Sequence, residues 1–271
     1  MREGTRERLR HRGTTRGVAR RLAAARLLRG AAGVAVLLVA GELVIRFVIS
    51  DDVVFPALSA VLYEAAPLLL DDDFLAGTAA TLAHWALGLL IAIAVPAGVL
   101  LGTLSPVERA IRPVLEFMRP IPSVAIIPLA ILLIPVDGLM KISVIVYACM
   151  WPILINTLYG MRDVDPLAKE SLRSFGFGPV AVVARVSLPS AAPFVATGVR
   201  IAAGIALILA VSAELLAGIG VYVVQAGSGN RTDLMMAATF WAGLFGVIAN
   251  LVLLAGERRL FHWHHARMGA S

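Results

Sequence analysis

The chain has 271 residues, 59% of them hydrophobic and only 15% charged, with a mean hydropathy of +0.85 and a net charge of +6. That composition excludes an ordinary soluble domain and points to a protein embedded in a bilayer. The single cysteine, Cys149, excludes an intrachain disulfide; with no metal-ligand spacing around it, it reads as a small buried hydrophobe.

Residues 1–29 form a basic arm with ten arginines between Arg2 and Arg29. Directly ahead of a span, such a run fixes topology and touches anionic headgroups; binding of nucleic acid is the weaker alternative. The apolar run that follows is longer than that of a signal peptide and no small-residue cleavage site comes after it, so it reads as an uncleaved first span. A spanning helix needs about 20 apolar residues. Six segments meet that need: 31–49, interrupted by Glu42 and Arg46, then 74–104, 114–134, 139–159, 193–217 and 234–255. The piece between the first two, 53–70, is broken by Pro56, Glu64 and Pro67 and reads as a surface helix on the outer face. Residues 30–260 are thus an all-helical integral membrane domain of six spans, and 261–271 a tail.

Charge orients the spans. The arm, Arg109, Arg112, the arginines from Arg162 to Arg185, Arg258, Arg259 and Arg267 fall on one side. The other side holds Asp51, Asp52, Asp71, Asp72, Asp73 and Asp137, with Lys141 and Arg231 as basic exceptions. The positive-inside rule then places both termini and the 162–189 loop in the cytoplasm, which requires an even number of spans.

Prolines punctuate the spans at Pro96, Pro120, Pro122, Pro128 and Pro152. Each removes a helical hydrogen bond and invites a bend, which in lipid survives beside other helices or a water-filled path. The small residues Gly88, Gly98, Gly102, Gly198, Ala202, Ala203 and Gly204 are expected to let helices pack closely.

No phosphate-binding loop, zinc-protease motif or nucleophile elbow occurs, so neither ATP binding nor a catalytic residue is expected in this chain. Gly227, Ser228 and Gly229 read as a loop. His84 and Ser212 together are a thin case for an intramembrane hydrolase; a histidine facing a neighbouring helix is the expected state of His84. His262, His264 and His265 around Trp263 read as a basic interfacial anchor rather than a metal site.

The polar loop of residues 162–189 is the exception to all this. Asp165 and Pro166 suit a helix N-cap and first turn, and Gly176 suits a helix end at positive φ. A short helix over 165–174 and a second over 179–186 would make a compact knob, with Leu167, Leu172, Phe175 and Phe177 on its face. From Glu170-Ser171-Leu172, Gly176 follows after three residues and Val186-x-Leu188-Pro189 after nine more. That spacing resembles the coupling loop of the permeases of ABC importers, with Ser171-Leu172 in place of Ala-Ala and Val186 in place of Ile.

The resemblance runs on through Pro113, Arg119, Pro120, Pro122, Pro128, Trp151-Pro152, Asn156-Thr157, Gly160, Pro193, Gly198, Arg200, Glu214, Gly218 and Gly220, as in the nitrate, sulfonate and taurine branch. It implies a type I importer (MetI-like) fold and residence in the cytoplasmic membrane of a prokaryote. It also implies a second permease subunit, separate ATPase subunits that bind ATP-Mg, an extracytoplasmic solute-binding protein, and a sulfonate-, taurine- or nitrate-like cargo. Glu170, Ser171, Leu172, Gly176, Val186, Leu188 and Pro189 would form the ATPase-coupling loop. Arg200 and Glu214 lie about 21 Å apart along one helix; they are the candidates for the inner and outer ends of the translocation path, with snorkelling an equal alternative for Arg200. A secondary carrier without an ATPase is the alternative function.

Overall fold

A computed structural model of the chain describes residues 28–30, 32–49, 55–92, 94–103, 105–214 and 218–260. Most of the basic arm, Asp51, Asp52 and the tail with its three histidines lie outside the described residues. The chain divides into two compact units, 1–64 and 65–271.

In the first unit, α1 (Leu28–Phe47) ends in a π-helical stretch, Ile45–Ile49. The two charges that interrupt this apolar helix satisfy each other. Arg46 Nε donates to Glu42 Oε1 at 2.7 Å. Glu42 also accepts the backbone N–H of Ser59 at 3.2 Å and its hydroxyl at 2.8 Å. Ser59 opens the first turn of α2 (Leu58–Leu68), where a helix has N–H groups without intrahelical acceptors.

The second unit contains α3 (Asp72–Ile91), α4 (Ala94–Thr103), α5 (Ser105–Met118), α6 (Ile127–Leu133), α7 (Asp137–Arg162), α8 (Pro166–Ser174), α9 (Pro179–Val182), α10 (Leu188–Ser212), α11 (Ile219–Ser228) and α12 (Thr232–Leu260). Among the described residues of the whole chain five helices, α1 included, are each long and apolar enough to cross a bilayer, and there are six spans when the bent pair made by α5 and the segment ending in α6 is counted as one. The centre is α7. Val144, Ile145, Ala148, Cys149, Ile153 and Leu154 are all buried, against Ala202, Ala206, Leu209 and Ala210 of α10.

Close approach to α7 depends on small residues. A Cβ on Gly98 would come within 2.6 Å of Thr157, one on Gly102 within 2.6 Å of Met161, and one on Gly198 within 2.8 Å of the Pro152 carbonyl. Gly88 abuts Ile145 in the same way. Without the hydrophobic effect to drive helices together in lipid, such contact is what holds them. Gly204, expected in the same role, has no atom near its missing Cβ.

The prolines act unevenly. Segment 74–104, expected as one helix, breaks at Ala92, whose φ of −59° and ψ of 95° leave the helical region. Pro96 stands four residues on and has no N–H to offer the Ala92 carbonyl. Pro120 and Pro122 separate α5 from a 3₁₀ turn (Ser123–Ile126), and the third span bends there by 82°. Pro152, by contrast, lies inside the unbroken α7, where the Asn156 amide donates to its carbonyl at 2.8 Å. Gly227 and Ser228, read as loop, belong to the last turn of α11.

Candidate coupling helix and path residues

The knob is built from local signals. The Asp165 carboxylate accepts the Leu167 N–H at 2.8 Å and caps α8, with Pro166 in the first turn. At the other end Gly176 has φ +82°. Its N–H donates to the Arg173 carbonyl at 2.9 Å, and the Phe177 N–H to the Leu172 carbonyl at 3.2 Å. This pair of bonds is a Schellman motif, which only a residue tolerant of positive φ closes cheaply. Leu167 and Phe175 are 69% and 79% exposed, whereas Leu172 is half-buried. Phe177 is half-buried too, with the Arg185 guanidinium 4.8 Å above its ring. Glu170 and Ser171 are exposed, Val186 half-buried, and Ser171 donates back to the Leu167 carbonyl.

One expectation for this loop needs correction. The second knob helix, expected over 179–186, does not stop there, and the fifth span, expected from 193, does not start afresh. α9, a π turn (Val183–Ser187) and α10 run on as a single 34-residue helix, Pro179–Ser212. Pro189 is accommodated because the π turn shifts the hydrogen-bond register just ahead of it; the Leu188 N–H reaches back to Val183 rather than Ala184.

Glu214 follows α10 and is 2% exposed. Its Oε1 accepts the Thr81 hydroxyl at 2.6 Å and its Oε2 the Gly220 N–H at 2.7 Å. Thr81 in turn accepts the Ile219 N–H at 3.1 Å. A Cβ on Gly218, at φ +123°, would overlap the Glu214 carboxylate, and one on Gly220 would overlap the Val211 carbonyl. These two glycines bring the start of α11 down onto a buried acid.

Arg200 lies midway along α10. Its Nε is 3.3 Å from Glu257 Oε2 of α12, within ion-pair distance though not in hydrogen-bonding geometry. Arg200 is one-third exposed, and the Thr197 hydroxyl lies 3.5 Å from the other Glu257 oxygen. Sequence reading missed Glu257 and Thr81 as partners; an acid in the last turns of an apolar helix, seven residues after Asn250, was the available signal for the first. His84 sits against Gly138 of α7, and among the described residues no hydrogen bond joins it to Ser212. Lys141, wholly buried, pairs with Asp137 at 2.6 Å.

Charge is segregated between the two ends of the bundle. Asp72 and Asp73 begin α3, Asp137 begins α7 and Asp233 begins α12. Arg162 closes α7 and Arg258 and Arg259 close α12, so these two helices carry at both ends the charge their own dipoles favour. At the basic end Glu108 of α5 accepts bonds from both Arg162 and Arg112, the latter at 3.1 Å.

Apolar spans around a buried hub, with one compact polar knob between α7 and α10, define a polytopic membrane protein. The family described as binding-protein-dependent transport system inner membrane component matches residues 94–262. A probable ABC transporter permease protein of Brucella melitensis is 34% identical over 78% of this chain and 88% of its own length. The taurine transport system permease protein of Escherichia coli is 33% identical over 69% of this chain and 70% of its own. Among solved structures, a chain of a bacterial ABC transporter involved in import of the acidic polysaccharide alginate superposes with a TM-score of 0.63. That match has 15% identity and covers 88% of this chain and 95% of the other, and it shows the fold. The chain belongs to the binding-protein-dependent transport system inner membrane component family, as a transmembrane ABC importer permease of the taurine, sulfonate and bicarbonate branch.

Proposed function

We propose that this permease carries a small anion of the sulfonate, taurine or bicarbonate kind, and that the knob formed by α8 and α9 is where ATP-driven motion enters. One observation carries the second part. The exposed Leu167 and Phe175 belong to a capped, compact element whose far side is the start of a continuous helix reaching Ser212. At 1.5 Å per residue that helix is about 50 Å long. A push on the knob therefore reaches Arg200 and the Glu214 junction through one rigid body. In this reading Glu170, Ser171, Leu172, Gly176, Val186, Leu188 and Pro189 shape the docking element. Arg200 and Glu214 steady the inner and outer ends of the path.

Both termini and the knob face the cytoplasm in this reading, since the arginines of the sequence gather in the arm, between Arg162 and Arg185, and at Arg258, Arg259 and Arg267. A second permease subunit completes the path, a separate ATPase binds ATP-Mg, and an extracytoplasmic binding protein delivers the solute. The cargo class comes from what the relatives' names state, taurine, aliphatic sulfonates and bicarbonate.

Gly176→Arg tests the coupling role. The site is open to solvent, with no atom within 4 Å of the missing Cβ, so the bundle has no reason to unfold. The substitution strains the αL position by about 1–2 kcal/mol and plants a charge at the knob's tip. The expected result is normal membrane insertion, loss of co-purifying ATPase and loss of uptake. Full uptake by the variant, or gradient-driven uptake by the wild type with no ATPase, would defeat the proposal.

A further inference from the structure

Between α5 and the last turns of α7 lies a cavity of about 220 Å³ that the coupling mechanism does not use. Arg112, Arg119 and Arg162 line it, against Glu108 and Glu116, leaving one positive charge in excess. Glu108 is shared by Arg112 and Arg162, whose side chains are still 49% and 41% exposed, so both guanidiniums keep donors for another acceptor. No ion pair or hydrogen bond reaches the Arg119 side chain among the described residues. The deeper wall is apolar, formed by Leu115, Leu154 and Leu158.

A second observation points the same way. Trp151 is part of the wall and 9% exposed, and its indole N–H has no hydrogen-bond partner among the described residues. The indole can only donate, and a buried donor left unmade costs about 1–3 kcal/mol. A site with guanidiniums at its rim, a lone buried donor in its wall and an aliphatic lining matches one ligand shape.

We propose that this cavity binds an oxyanion carrying an aliphatic tail, with Arg119 and Arg162 holding the oxyanion and Leu115, Leu154 and Leu158 holding the tail. Guanidinium forks suit sulfonate and phosphate oxygens in bidentate geometry. A soluble alkylsulfonate and the headgroup of an anionic phospholipid share this chemistry. Arg162 stands four residues ahead of Pro166, where α8 begins, so a ligand here braces α5 against the foot of the knob. The inference does not depend on the cargo or on the coupling role.

The test uses the full chain in nanodiscs of phosphatidylcholine. Binding of radiolabelled hexanesulfonate is measured by equilibrium dialysis, and retention of added phosphatidylglycerol by native mass spectrometry. Saturable binding of one equivalent is expected. Arg119→Gln should weaken it about tenfold or more, the loss of roughly one charge-assisted bond. Ile155→Trp, which fills the cavity and leaves every charge in place, should abolish it. Arg258→Gln, at an exposed arginine elsewhere on the basic end, should leave it unchanged. Saturation by hexanesulfonate identifies a soluble oxyanion as the ligand, and saturation by phosphatidylglycerol alone identifies a lipid headgroup. Failure of the wild type to bind either probe overturns the proposal. So does binding that survives both cavity variants, or that falls equally with Arg258→Gln.

Discussion

The Thr81 hydroxyl donates to the Glu214 carboxylate at 2.6 Å, across 133 positions of sequence. This bond ties α3 to the junction of α10 and α11, and with the Gly220 N–H it satisfies both oxygens of an acid that has almost no contact with solvent. Arg200 and Glu214 therefore stand in different settings. The first is partly open and ion-paired to α12, the second enclosed.

Thr81→Val should cost about 2 kcal/mol, because it removes a donor to Glu214 and an acceptor for the Ile219 N–H. Thermal unfolding in detergent, followed for Thr81→Val, Glu214→Gln and the double variant, measures it. The double variant should lose clearly less than the sum of the two singles. Strict additivity would show that the two residues do not act through one another.

Gly218→Ala should be more damaging, at least about 2 kcal/mol, although it adds one methyl. That methyl overlaps the Glu214 carboxylate and the backbone sits at φ +123°. Gly243→Ala, in open space on α12, is the matched control and should be neutral or slightly stabilising. Equal melting temperatures for the two alanine variants would contradict the packing described.

For Arg200 and Glu257 the expected coupling is modest in stability, about 1 kcal/mol, since Arg200 is one-third exposed. Transport is the sharper readout. Arg200→Glu and Glu257→Arg should each impair uptake in reconstituted vesicles, and the exchange of both should restore part of it. An exchange variant no better than either single would dismiss the pair as a functional unit.

What the sequence reveals follows from how local each signal is. Asp165, Pro166 and Gly176 act within one short helix, and the helix they announce is the helix that forms. The bend at Pro120 and Pro122 was visible as a bend, though its 82° angle depends on what α5 and α6 pack against. The break at Ala92 was misread because a proline acts on the carbonyl four residues before it, so Pro96 marks the wrong place. The expected gap between 186 and 193, which holds Pro189, does not exist; a π turn absorbs the proline and the helix continues. Glu257 and Thr81 could not be paired from spacing at all, since their partners are 57 and 133 positions away.

Lys141 gives the hub helix one more property. It is the only lysine in α7 and has no solvent exposure, yet its counter-charge Asp137 is four residues earlier on the same helix, 2.6 Å away. A neutralising partner on a neighbouring span would be of no help to a segment leaving the ribosome by itself. With the pair built into one turn, α7 has no net charge at that end and can partition into lipid before its neighbours surround it. The most enclosed helix of the bundle is thus able to be membrane-inserted alone, and the order of biogenesis need not follow the order of packing.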